Sequence, residues 1–221
     1  MMPASRHHPF ERYGGTSLTR VVVTGIGMVT PLGHDTDTTW NALLAGTSAA
    51  GPVTLFDAEP FPSRIACEVR DFDASTFMDR KEVRQTDRYI QFAMAAAFQA
   101  VENANLTIDP TNATEVATII GSGYGGIGTF QAQVEALVQR GPGRVSPFLM
   151  PMMVTEMGAA KVSIALGAKG PAFSVTSSCC SGSDSMGVAA ELVRNGEAKV
   201  VLAGGAEAAI TSIAFAGFSQ A

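Results

Sequence analysis

Residues 171–205 read PAFSVTSSCCSGSDSMGVAAELVRNGEAKVVLAGG, and this stretch decides the fold class. PAFSVTS is a short β-branched and aromatic run, read as a strand. Ser181 to Asn195 carries helical spacing, and the apolar run AKVVLAGGAEA that follows reads as a buried strand. The same alternation recurs upstream. EVATIIG ends in a glycine turn and leads to a helix over Phe130 to Gln139, closed by GPGR. Tyr89 to Asn105 is alanine-rich and apolar nearly all round, which predicts a helix buried between layers. Strands alternating with helices make an α/β fold, with the runs near Val22, Ile119 and Val200 expected as central strands covered on both faces.

Further readings are local. VVVTGIGMVT, from Val21, reads as a buried strand with a glycine-permitted turn. A short helix is expected over Asp37 to Ala45, loop from Ala50 to Phe77 with a weak strand at Ile65, and one helix from Met150 to Leu166. The polar, Gly/Pro-bearing start reads as a flexible leader over residues 1–19. The apolar close, ITSIAFAGFSQA, reads as a cut rather than a natural terminus, so residues 20–221 are expected to be a truncated domain.

The chain has 221 residues, 46% hydrophobic and 16% charged, a low charged fraction that predicts surface covered by a partner or by further chain. A net charge of -5 with no basic block excludes a nucleic-acid footprint. No apolar stretch reaches membrane-spanning length. Three cysteines and no signal peptide point to a reducing, cytoplasmic setting.

GSGYGG, Gly121 to Gly126, satisfies a dinucleotide-type glycine pattern after a strand. The second strand with its terminal acid does not follow, and TGIGMVT carries Thr30 where a third glycine would stand. Both loops are read as tight turns and close backbone packing. Cys67 is expected to be a small buried residue. Adjacent Cys179 and Cys180 are poorly placed to bridge each other. With histidine only at His7, His8 and His34, they form no metal box. Their setting, a strand running through a small-residue turn into a helix, favours a thiolate and offers N–H groups to an oxyanion. Chemistry alone leaves a catalytic cysteine and two packed core thiols both open.

The chain strongly resembles the β-ketoacyl-acyl carrier protein synthases, specifically the elongating type II enzymes. RVVVTGIGMVTPLG, TWNALLAG, RKEVRQTDRYIQ, IIGSGYGGIG, GPGRVSPFLMP, GAKGPAFSVTSSCCSG and VVLAGGAEAAITSIAFAGF carry the likeness in the family's order. The resemblance implies a thiolase-like fold, a layered α-β-α arrangement with a mixed sheet, of which this chain is the N-terminal half. The family's T-A-C-x-S-G pattern places the nucleophile at Cys179, with Cys180 in the variable position and Ser178 replacing alanine. It implies that the Cys179 N–H is one arm of an oxyanion hole, while the other arm, two histidines and a lysine belong to the second half of the fold.

It further implies acyl substrates carried on the phosphopantetheine of acyl carrier protein, no tightly bound cofactor, no metal, and a homodimer. Tyr124 falls in a segment that lines the family's acyl pocket, where a larger ring would shorten the accepted chain or be a packing exchange. Glu207 is read as a structural acid. Two alternatives stand beside decarboxylative condensation: a polyketide ketosynthase or other thiolase-fold acyl enzyme, and a non-catalytic, partner-forming half-domain.

Overall fold

The computed structural model describes residues 19–221. The leader expected over residues 1–19 lies outside them except for Thr19, as do His7 and His8. Helix α1 (Thr36–Leu44) starts where the Asp35 carboxylate accepts the Thr38 N–H at 2.7 Å, a side-chain cap. Its apolar residues Trp40, Leu43 and Leu44 stay more than half exposed. Strands β1 (Gly51–Pro52) and β2 (Ile65–Ala66) form a small antiparallel ladder in the expected loop region. The short α2 (Arg80–Val83) then leads through the Asp87 cap into α3 (Arg88–Asn103).

The sheet is built from β3 (Val116–Gly121), β4 (Ala172–Phe173) and β5 (Val200–Gly205), in the order β4-β3-β5 and all parallel. Registers run Val116 with Val200 to Gly121 with Gly205, and Thr118 with Ala172. All six residues of β3 are buried, Thr118 among them, as its run of β-branched and small residues anticipated.

Between the strands lie α4 (Ile127–Arg140), α5 (Leu149–Met153), α6 (Met157–Leu166) and α7 (Ser181–Arg194), and α8 (Ser212–Gln220) follows β5. Side chains alternate across β3, so α6, against Ile120 at Gly158, and α7, against Gly121 at Ser185, occupy opposite faces. This is an α-β-α layering. Helix α3 packs on α6 and supplies Tyr89, Ile90 and Met94, each at most 1% exposed. Burial of a side chain of this kind contributes about 1.5–3 kcal/mol.

Three expectations need correction. The segment from Arg20 joins no ladder, and Val22 and Val23 are 62% and 67% exposed. Its amides go instead to helix α3: Ile26 N–H donates to Asn103 Oδ1 and Met28 N–H to Gln99 Oε1, each at 3.0 Å. Gly25 and Gly27 press against the α3 backbone, leaving no room for a Cβ. An open cavity of about 440 Å³ separates Val21–Val23 from the free edge of β5. Strand β5 is therefore half-buried at an edge rather than central.

The helix expected over Met150 to Leu166 is also broken, at Val154–Glu156. There the Met153 carbonyl accepts the Gly126 N–H, and the Val154 carbonyl accepts the Tyr89 hydroxyl at 2.6 Å. The third correction is Cys67, which is exposed, not buried.

Candidate active site

In a parallel sheet, groups gather beyond the carboxyl ends of the strands. Here three such ends meet. The β3 end continues as the GSGYGG loop, the chain after β4 turns through Ser177–Cys180 into α7, and β5 ends at Gly205, two residues before Glu207. Helix α7 lies close over the sheet because glycines face it. A Cβ on Gly121 would sit 2.7 Å from the Ser181 carbonyl carbon, and one on Gly205 would sit 2.8 Å from the Gly182 Cα.

The turn itself is tied by Ser181. Its hydroxyl donates to the Ser178 carbonyl at 2.7 Å and accepts the Ser177 N–H at 3.0 Å. Ser178 adopts a left-handed backbone conformation, φ 57°, at a cost of about 1–2 kcal/mol for a residue with a Cβ. Such strain is retained where the surroundings over-determine it. Cys179 follows at once, in a single 3-10 turn (Ser178–Cys180), and no side chain caps α7.

Both Cys179 and Cys180 are exposed and free, so neither is a packed core thiol. Among the described residues the Cys179 N–H has no hydrogen-bond acceptor, and no group of His, Cys, Asp and Glu is arranged to hold a metal.

Glu207 closes the arrangement. Its Oε2 accepts the N–H groups of Gly123 at 2.8 Å and Tyr124 at 3.1 Å, and its Oε1 accepts the Ser122 hydroxyl at 3.3 Å. Partial desolvation pushes its pKa above the ordinary glutamate value, against the lowering pull of these donors. The expectation of a hydrogen-bonded structural acid fits this geometry. The glycine loops also serve the packing roles read for them: Gly125 has φ 57°, and Gly126 lies against the Met152 and Met153 backbone.

Tyr124 is 46% exposed, with its ring edge-on to Phe218 of α8 at 6.0 Å between centroids. His34 lies elsewhere, its ring edge-on to Phe72 at 5.5 Å. Two cavities among the described residues lie away from Cys179 and Tyr124. One is the gap beside β5, walled by apolar side chains and unpaired strand edge, and the other is a polar hollow around Pro31–Asp35 and Glu68–Asp71. At the strand ends an exposed thiol, a helix terminus and a hydrogen-bonded loop converge, an arrangement suited to nucleophilic chemistry.

Residues 18–221 match the family described as "Beta-ketoacyl synthase, N-terminal domain". The chain belongs to the beta-ketoacyl synthase family. It is 45% identical over 202 residues to a 3-oxoacyl-[acyl-carrier-protein] synthase 2 of Synechocystis sp., covering 91% of this chain and 49% of the relative. The like-named protein of Coxiella burnetii is 44% identical over 200 residues, covering 90% and 48%. Among solved structures, the ishigamide ketosynthase/chain length factor superposes with a TM-score of 0.86 at 30% identity, over 92% of this chain and 51% of that one. The chain thus spans about half the length of the relatives it matches. The family's thiolase-like, layered fold accounts for the parallel strands and the helix seated on their carboxyl ends.

Ser181, as the tie of the Ser177–Cys180 turn, was not singled out from sequence. A serine opening a helix is the signal that could have found it. The left-handed Ser178 has no such signal, because serine is not a residue that demands that conformation.

Proposed function

We propose that this chain is the nucleophile-bearing half of a 3-oxoacyl-[acyl-carrier-protein] synthase and that Cys179 is the acylated residue. The observation that carries the reading is an exposed thiol directly after a left-handed residue, two residues ahead of Ser181 at the uncapped N-terminus of α7, at the carboxyl edge of a parallel sheet. Cys180 shares the exposure. What favours Cys179 is its spacing to Ser181-Gly182, which matches the family pattern.

In the reaction, the Cys179 thiolate attacks the thioester carbonyl of an acyl chain borne on the phosphopantetheine of acyl carrier protein. The sulfur–carbon bond to Cys179 forms and the pantetheine thiol leaves. Malonyl-carrier loses CO₂, and its carbanion attacks the Cys179 thioester; a carbon–carbon bond forms and the Cys179 sulfur departs. The Cys179 N–H donates to the oxyanion of each tetrahedral intermediate, an interaction that strengthens as the charge develops. The second oxyanion donor, the histidines and the lysine are assigned to the remaining half of a full-length synthase, so full condensation is assigned to the complete enzyme.

Acyl carrier protein is the proposed partner. A second copy of the chain is proposed as the cover for the exposed Phe130, Val134, Leu137 and Val138 of α4 and for the free edge of β4 at Phe173. Tyr124 is assigned to the wall of the acyl pocket, where its ring and Phe218 restrict chain length. A cytoplasmic setting agrees with three free thiols, and no helix among the described residues is long and apolar enough to cross a membrane. A polyketide ketosynthase is the second reading, favoured by the structural likeness to the ishigamide ketosynthase/chain length factor; the higher identity to the fatty-acid enzymes favours the first.

Alkylation with limiting iodoacetamide followed by peptide mapping tests the assignment. Cys179 should label ahead of Cys180 and Cys67, and preferential labelling of Cys180 would overturn it.

A further inference from the structure

The nucleophile turn makes only part of its own support. Ser181 ties it from the helix side, but the strained Ser178 also needs a wall on the other side. That wall is the loop after β3. A Cβ on Gly123 would lie 3.5 Å from both the Cα and the carbonyl oxygen of Ser178, so the loop backbone faces the residue before Cys179 across a gap that one methyl group would fill. The position of this loop is in turn fixed from a distant part of the chain. Three donors within residues 122–124 converge on the carboxylate of Glu207, at separations of 83–85 residues along the sequence.

Two consecutive backbone N–H groups aimed at one oxygen form a small anion-binding concavity, and here the protein's own carboxylate fills it. Bonds of this kind to a charged acceptor are roughly twice as strong as neutral ones. Ser122, 2% exposed, braces the same loop from within by accepting the Gly125 N–H at 3.0 Å.

We infer that Glu207 is a positioning residue of the nucleophile turn: its carboxylate holds the Ser122–Gly125 loop, and that loop, through the close approach of Gly123 to Ser178, limits the movement of the backbone that presents Cys179. The inference rests on Cys179 as the acylated residue, and it gives an acid outside the chemistry a defined part in the site. Glu207→Gln keeps an oxygen for the two amides but turns an NH2 that can only donate toward Ser122, and it carries no charge. Glu207→Ala removes every acceptor and leaves three donors without a partner.

The test compares the full chain with its Glu207→Gln and Glu207→Ala variants, using Glu191→Ala, on the exposed outer face of α7, as the control. Amide hydrogen exchange is read over residues 122–126 and 177–181, and iodoacetamide labelling of Cys179 is read relative to Cys67. Exchange in both segments should quicken roughly tenfold or more in Glu207→Ala. The Cys179:Cys67 labelling ratio should change at least about threefold with it, a change the acid's local bonds alone would not produce. Glu207→Gln should fall between the parent and Glu207→Ala in both readouts, and Glu191→Ala should match the parent.

If Glu207→Ala loosens residues 122–126 but leaves 177–181 and the labelling ratio unmoved, Glu207 serves its own loop only and the inference is wrong. If Glu207→Ala fails to fold, Glu207→Gln decides: an intermediate exchange rate in both segments supports the coupling, and parent-like exchange in both refutes it. None of these readouts needs acyl transfer. A chain that exchanges as expected but labels first at Cys180 would therefore sink the nucleophile assignment and leave the loop coupling standing.

Discussion

Replacing Gly121 by alanine probes the contact on which the site is built. The added methyl would lie 2.7 Å from both the Ser181 carbonyl carbon and the Ser185 Oγ, where ordinary contact begins at 3.4 Å. The first turn of α7 must therefore retreat by at least about 0.7 Å, and further to clear the Ser181 carbonyl oxygen, which lies nearest; what yields is backbone, in an interior packed as densely as a crystal. Overpacking of this kind costs about 1–3 kcal/mol. For a domain of this size each kcal/mol lowers Tm by about 2–4 °C, so a loss on the order of 6–12 °C is expected at the upper end.

The retreat also moves Ser181, which ties Ser177 and Ser178, so the preference for Cys179 in thiol labelling should weaken. Gly187→Ala is the matched control. It lies on the same helix with nothing within 4 Å of the added methyl, and alanine should stabilise the helix by about 0.5–1 kcal/mol over glycine. Thermal melts followed by circular dichroism, with peptide mapping after alkylation, read both effects. A Gly121→Ala chain that melts and labels like the parent would refute the claim that α7 is seated on the sheet by these glycines.

Tyr89→Phe should destabilise by about 1 kcal/mol, because it removes the shorter of the two hydrogen bonds to the Val154 carbonyl at the break between α5 and α6 and leaves only that from the Met157 N–H; a chemical-denaturation midpoint equal to the parent's would contradict that account. Acid should weaken the fold through its capping carboxylates. Hydrogen bonds from Thr38 to Asp35, Ser75 to Asp73, Glu82 to Asp79 and Thr111 to Asp109 hold these groups below the usual aspartate pKa. A lowered folded value means stability that is complete above about pH 4 and lost as pH falls through the folded values, while Glu207, with its raised pKa, acts in the opposite sense. Tm should therefore fall between about pH 4 and pH 2, and a flat profile there would show that the caps contribute nothing.

Where one element decides its own structure, the sequence was legible. Helix α3 was expected from its alanine-rich sequence, apolar nearly all round, and it is the most buried helix; β3, a β-branched run interrupted only by small residues, is the central strand. The turn holding Cys179 was placed correctly because strand, small residues and helix follow in order. Failures occurred where a partner decides. Val21–Val23 have the composition of a strand, but a strand needs a neighbour, and side chains of α3 take the amides of Ile26 and Met28 instead. The α5–α6 break is set by Gly126 and Tyr89, which claim carbonyls from far along the chain. Cys67 looks like a small core residue by type, yet it lies beside the antiparallel pair β1–β2 at the surface. The role of Glu207 was half legible: an acid after a GGA turn reads as structural, but only the folded chain brings it to Gly123, and Gly123 to Ser178.

The most direct test is acyl transfer followed by mass spectrometry. The chain, its Cys179→Ala variant and its Cys180→Ala variant, each joined to the remaining half of a relative's synthase to give full length, are incubated with an acyl-[acyl carrier protein] and digested. The acyl mass should sit on Cys179 in the parent, persist there in Cys180→Ala, and vanish in Cys179→Ala. Acylation that survives loss of Cys179, or that maps to Cys180 in the parent, would contradict the assignment of the nucleophile.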